Sequence, residues 1–168
     1  MSKLTILEYP DPRLRTRAMP VTVFDAALQQ LSRDMLETMY AAPGIGLAAT
    51  QVNVHRRMLV LDVSEERNHP KVFVNPEITE KEGSDVSQEG CLSVPGFYFP
   101  RMRYPFARVT GRDAAGREIV VEGDGLMAQA LQHETDHLDG KLYIEGLEPD
   151  IKREAMRAVR SAEWFRNA

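Results

Sequence analysis

At 168 residues, with 43% hydrophobic and 27% charged side chains, the chain has the size and composition of one globular domain with a substantial core. A formal net charge of −4 argues against a nucleic-acid binder, and no apolar run is long enough to span a bilayer. Residues 1–10 lack the apolar stretch of a signal peptide, and the single cysteine, Cys91, excludes an internal disulfide, so a reducing, cytoplasmic location is expected.

Pro10 and Pro12, followed by Arg13, Arg15 and Arg17, predict an extended N-terminal segment lying over the body of the domain. Residues 25–40 predict an amphipathic helix, with Asp25 as N-cap and Leu28, Leu31, Met35 and Met39 on its apolar stripe; Pro43 and Gly44 stop it. The next stretch, Gly44-Ile45-Gly46-Leu47-Ala48-Ala49-Thr50-Gln51, is small enough for backbone or ligand to come close, and serves equally as a tight turn or a ligand loop. It lacks the Gly-Lys-Ser/Thr of a phosphate loop. Residues 58–61 and 72–74 read as short strands around a charged loop at 64–71, the second ended by Pro76. A polar connection leads to Glu89-Gly90-Cys91-Leu92-Ser93-Val94, with Pro95-Gly96 as a turn. Residues 106–110 and 118–122 predict a hairpin around 112–116.

Residues 126–140 predict one helix, free of interior glycine and proline and rich in good helix formers, with Gly140 placed for a left-handed C-terminal cap. Leu126, Ala130, His133 and His137 share one face, the two imidazoles four residues apart, and Glu134 lies beside His137. Single helical histidines are mostly structural, and H-E-x-x-H is short enough to arise by chance. Two imidazoles and a carboxylate on an apolar helix are nevertheless costly to bury unpartnered, and a divalent metal ion removes that cost while giving Glu134 a water to act on. The last segment, residues 150–168, predicts a C-terminal amphipathic helix with Ile151, Ala155, Val159 and Ala162 on one side and a basic face of Lys152, Arg153, Arg157, Arg160 and Arg166. With no β-α-β alternation, the expected class is α+β: antiparallel or mixed sheets around a central metal-binding helix, in one domain spanning residues 1–168.

A third metal ligand has three candidate sources. The position that holds a further histidine in longer zinc-protease motifs is Tyr143. Glu154 and Glu163 would complete a small zinc endopeptidase, although both stand on a charged face. Cys91 offers a thiolate suited to Zn²⁺ or Fe²⁺, and Cys-His-His leaves a fourth position open, as catalytic sites do.

Three motifs stand in order: Gly44-Ile45-Gly46-Leu47-Ala48-Ala49-Thr50-Gln51, Glu89-Gly90-Cys91-Leu92-Ser93 and Gln132-His133-Glu134-Thr135-Asp136-His137. Together, and with Tyr9-Pro10-Asp11-Pro12 and Pro76-Glu77, they resemble the signature motifs of peptide deformylases, type I bacterial forms in particular, over nearly the whole chain. The resemblance implies hydrolysis of the N-formyl group from nascent polypeptides beginning with formyl-methionine, releasing formate. It assigns the metal to Cys91, His133 and His137, general base and acid to Glu134, and the oxyanion to the Gln51 amide and the Leu92 backbone N–H. The implied cofactor is one divalent ion per chain, natively Fe²⁺, with Zn²⁺, Ni²⁺ or Co²⁺ able to substitute. Gly44, Ile45, Gly46, Leu126 and Ala130 would line the substrate cleft, with Gln129 an unexpectedly polar neighbour. The resemblance also implies a substrate-holding arginine near position 98, where this chain has Tyr98, with Arg101 and Arg103 the nearest substitutes. The C-terminal helix is the implied contact to the ribosome; no membrane or specific DNA partner is expected.

Overall fold

The structure, a computed structural model, describes residues 3–167. After a 3-10 turn at Pro12–Arg15, helix α1 (Ala26–Ala41) opens on Asp25, whose side chain accepts from the Leu28 N–H at 3.0 Å. It ends where the Gly44 N–H turns back to the Met39 carbonyl, at 2.8 Å. Strands β1 (Gly46–Ala48), β2 (Met58–Leu61) and β3 (Lys71–Glu82) follow, then β4 (Asp85–Cys91) and β5 (Val94–Arg103), then β6 (Phe106–Arg112) and β7 (Glu118–Asp124). Helix α2 spans Gly125–Leu138, α3 Pro149–Arg160 and α4 Glu163–Arg166.

The strands form two sheets, one of five strands ordered β1-β2-β3-β6-β7 and one made of the β4–β5 hairpin, with every strand pair antiparallel. The α+β class is as expected from the sequence. Strand β2 shows how the layers are built, because all four of its side chains are buried. Met58 and Val60 pack with Leu28, Met35 and Met39 of α1, while Leu59 and Leu61 pack with Ala128, Leu131 and Leu138 of α2. A period of two in the strand thus serves two helices, one on each face of the sheet. A third cluster, around Leu14, Val94, Tyr143, Ala155 and Val159, joins α3 to the hairpin.

Helix α2 is wedged between the large sheet and the hairpin, which is why it is buried over most of its circumference. Gln132 stitches it to the chain beyond β5, donating to the Tyr104 carbonyl at 2.7 Å and accepting from the Tyr104 N–H at 3.1 Å. At its far end Gly140 takes φ 76, and a β-carbon there would strike the Arg15 carbonyl.

Several expectations need correction. Pro76 does not end β3; the strand runs on to Glu82 through a register shift between Val74 and Glu77, where a residue without an N–H loses no ladder bond. Pro95 and Gly96 lie within β5, and the hairpin turns instead at Leu92-Ser93. The 44–51 stretch is neither a plain turn nor a loop, but β1 followed by a 3-10 turn at Ala49–Val52. Leu126 is 47% exposed rather than part of the core stripe, because it faces an open cleft while the next residue, Met127, packs on the core. The C-terminal helix is two helices, broken at Ser161-Ala162 so that the Trp164 indole can donate to the Pro95 carbonyl at 3.0 Å while Phe165 stacks on Tyr9. The expected end at Ala168 lies outside the described residues.

Candidate metal centre

Helix α2 presents His133 and His137 one turn apart, with ring centroids 4.9 Å apart and their Nε2 atoms 3.1 Å from each other. Cys91 closes β4 where the pairing register breaks, and this turns its Sγ to within 3.3 Å of His137 Nε2. The three candidate ligand atoms all lie within 4.8 Å of one another. Bonds of about 2.0–2.3 Å to a tetrahedral ion would space such atoms roughly 3.3–3.7 Å apart, so little movement is needed.

Neighbouring groups hold the three side chains in place. His133 Nδ1 faces Glu89 Oε2 at 2.6 Å; donating its proton there leaves Nε2 with a lone pair. Cys91 Sγ accepts from the Ser93 N–H at 3.4 Å and from Gln51 Nε2 at 3.6 Å. Burial and the neighbouring His133 push the His137 pKa well below the usual histidine value. Burial works against a charge on His133 as well, but Glu134, Cys91 and Glu89 together overcome it and push its pKa well up. Glu134, Glu89 and Cys91 thus surround this point with groups that favour positive charge, and a divalent cation fits that donor set.

Glu134 is 4% exposed, with Oε2 3.8 Å from His133 Nε2 and an Oε1 that has no hydrogen-bond partner among the described residues. Burial raises its pKa to about 7, against the pull of His133. A carboxyl poised there can both take and return a proton near neutrality. Gly46 makes room for it: a β-carbon at Gly46 would sit 2.5 Å from Glu134 Oε2. A β-carbon at Gly44 would likewise sit 2.5 Å from Leu92 Cδ1. Gln51 is 1% exposed; its Oε1 accepts from the Ala48 N–H at 2.9 Å and its Nε2 donates to Ser93 Oγ at 3.0 Å.

These groups open onto a cleft of about 600 Å³. Gly44, Ile45, Gly46, Gln51, Cys91, Leu92, Leu126, Ala130, His133 and Glu134 all line it, and His137 lies fully buried behind them. Gln129 also reaches the cleft, with its amide tied to Ser87 Oγ at 2.9 Å and the Gln88 carbonyl at 3.2 Å, so its polarity fastens α2 to β4. Tyr98 stands at the cleft, whereas Arg101 and Arg103 do not line it. Neither Glu154 nor Glu163 joins the histidines.

Sequence reasoning missed the support beneath the ligands. Arg103, 8% exposed, makes a two-pronged pair with Glu89, Nε to Oε1 at 2.9 Å and Nη2 to Oε2 at 2.7 Å, and reaches Asp136 through Nη1 at 2.7 Å. Burial would raise the Glu89 carboxyl, yet Arg103 and His133 outweigh it and hold the pKa at about 2. The position of Glu89, two residues before Cys91, was the available signal; the hairpin that delivers Arg103 to it was not foreseen.

Comparison with known proteins identifies the family. A family model described as polypeptide deformylase matches residues 3–153. A peptide deformylase of Hahella chejuensis is 57% identical over 158 residues, covering 94% of each chain, and peptide deformylase 2 of Xanthomonas axonopodis pv. citri is 54% identical over 160 residues. The crystal structure of a peptide deformylase from Legionella pneumophila superposes with a TM-score of 0.91 at 41% identity, covering 98% of each chain. That of Synechococcus elongatus, in complex with actinonin, gives 0.89 at 38% identity over 96% of this chain and 90% of that one. By sequence and fold alike, the chain is a member of the polypeptide deformylase family of enzymes.

Proposed function

We propose that this chain hydrolyses the N-formyl group from the terminal formyl-methionine of nascent polypeptides, releasing formate, with residues 1–168 acting as one catalytic domain in the cytoplasm. The observation that carries the proposal is the convergence of Cys91, His133 and His137 beside a buried carboxylate with a free oxygen, Glu134, at the floor of a cleft. Cys91, His133 and His137 would hold one divalent cation, Fe²⁺ natively, with Zn²⁺, Ni²⁺ or Co²⁺ as substitutes. Bound there, the cation supplies Lewis acidity that polarises a carbonyl and acidifies water.

The chain's own residues do the rest. Glu134 accepts the proton of the attacking water and hands it to the amine nitrogen as the C–N bond breaks, so formate leaves and a free amino terminus remains. The Gln51 amide and the Leu92 N–H stabilise the negative charge that develops on the formyl oxygen, a contribution typically worth about 3–4 kcal/mol. The methionine side chain lies against Ile45, Leu126 and Ala130. β1 is the edge strand of its sheet, the position from which an extended peptide in the cleft would pair. The basic face of α3, with Lys152, Arg153 and Arg157, is the surface that would meet the ribosome. Formate release from formyl-Met-Ala-Ser, with acetyl-Met-Ala-Ser left intact, is the expected behaviour of the metal-loaded enzyme. Internal peptide cleavage of both substrates without formate would overturn the proposal.

A further inference from the structure

The loop between β2 and β3 takes no part in the chemistry described so far, yet one of its side chains touches the cleft wall from behind. Arg67, half-buried with φ 58, donates from Nη2 to the Gly44 carbonyl at 2.5 Å. Its guanidinium also lies over the Tyr40 ring, 5.1 Å from the centroid. A left-handed arginine on a charged loop is an uncommon conformation, so something must hold it there.

Asp62 supplies that hold. This fully buried carboxylate accepts from the Ser64 N–H and Oγ on one oxygen, at 2.9 and 2.6 Å. On the other it accepts from Tyr40 Oη at 2.6 Å and the His69 N–H at 3.0 Å. One residue thus folds the loop and fixes the ring on which Arg67 rests. The Asp62 backbone N–H donates to the Ile45 carbonyl at 2.9 Å, and the Gly44 N–H is already committed to the Met39 carbonyl. With the Gly44 carbonyl held by Arg67, three backbone groups of the wall (the Gly44 N–H and the Gly44 and Ile45 carbonyls) are bonded to residues that do not line the cleft. The glycines of that wall meet Leu92 and Glu134 with no room for a single methyl. A small displacement of the wall is therefore felt at both residues.

We propose that Arg67, braced by Tyr40 and Asp62, is a positioning residue for the substrate: it latches the Gly44–Gly46 backbone at the distance from Leu92 and Glu134 that a formyl-methionyl chain requires. The assignment rests on the deformylase reading of the cleft. Arg67 touches the wall and not the cleft, so its loss should weaken substrate binding more than the chemical step.

Two measurements on the full-length, metal-loaded enzyme test this. In Arg67→Ala, KM for formyl-Met-Ala-Ser should rise about tenfold, a larger factor than any fall in kcat, and millimolar guanidinium should recover most of the KM loss. An unchanged KM overturns the proposal, as does a loss that follows a lowered Tm and ignores guanidinium. Hydrogen exchange without substrate provides the independent arm: amides across residues 44–48 should exchange faster in Arg67→Ala and recover in Arg67→Lys, which keeps a cationic donor. Unaltered exchange there overturns the latch whatever the substrate proves to be. If the unaltered enzyme releases no formate, the functional reading fails, and the exchange result alone decides the latch.

Discussion

The centre depends on a few side chains whose neighbours leave them little freedom. Glu89 is the clearest case, because one carboxylate accepts from His133 and from both prongs of Arg103. Replacing it with Gln keeps the shape but removes the charge that orients His133 and neutralises Arg103. Metal affinity in Glu89→Gln should fall about 10–100-fold, as read by chelator competition. Gly46 is constrained in a different way. Its substitution by Ala would place a methyl against Glu134, and a displacement near 1 Å at a catalytic group costs about a hundredfold in kcat. Metal content in Gly46→Ala should stay at the unaltered level, so the loss would mark the carboxylate and not the ligands.

At the level of elements, α1, β2 and the following loop are tied together by Asp62. Burial alone would raise this carboxyl, but bonds from Ser64, Tyr40 and His69 outweigh it and hold the pKa at about 2, against an ordinary 3.8. As pH falls the unfolded chain takes up this proton first. The stabilisation is therefore complete above about pH 4 and is lost as pH drops towards 2. Asp62→Asn should lower stability near neutrality by about 1–3 kcal/mol, and its deficit in urea unfolding should shrink across that acid window. Helix α4 is held by the Trp164 indole on β5, and Trp164→Ala should cost about 1–2 kcal/mol while leaving turnover intact. Elements with strong periodicity were legible in the sequence. Helix α1 with its Asp25 cap, strand β2 and helix α2 all stand close to where their patterns place them. The β4–β5 hairpin was not legible, because Asp85, Val86, Ser87 and Gln88 are all exposed and show no apolar alternation, and Pro95, Gly96 and Pro100 read as breakers. The break after Arg160 was hidden for a related reason: it is set by where Trp164 docks, a contact with a residue far away in the chain.

Over the whole molecule, α2 acts as the floor of the site because two layers compete to bury it. The large sheet takes Ala128, Leu131 and Leu138, and the hairpin takes the histidine side, delivering Cys91 and Glu89 from one strand and Arg103 from the other. The gathering of Cys91, His133 and His137 was legible from the order of the motifs and the resemblance they carry, whereas the pairs that support them depend on strand register that no local pattern encodes. No helix among the described residues is long and apolar enough to cross a membrane. The central claim is that Cys91, His133 and His137 bind one cation while Glu134 moves the proton. Metal content and formate release measured together in Glu134→Gln test it most directly. The account predicts one metal ion per chain with turnover of formyl-Met-Ala-Ser reduced by about 10²–10⁴. Retained turnover in that variant, or loss of the metal along with it, would contradict the account.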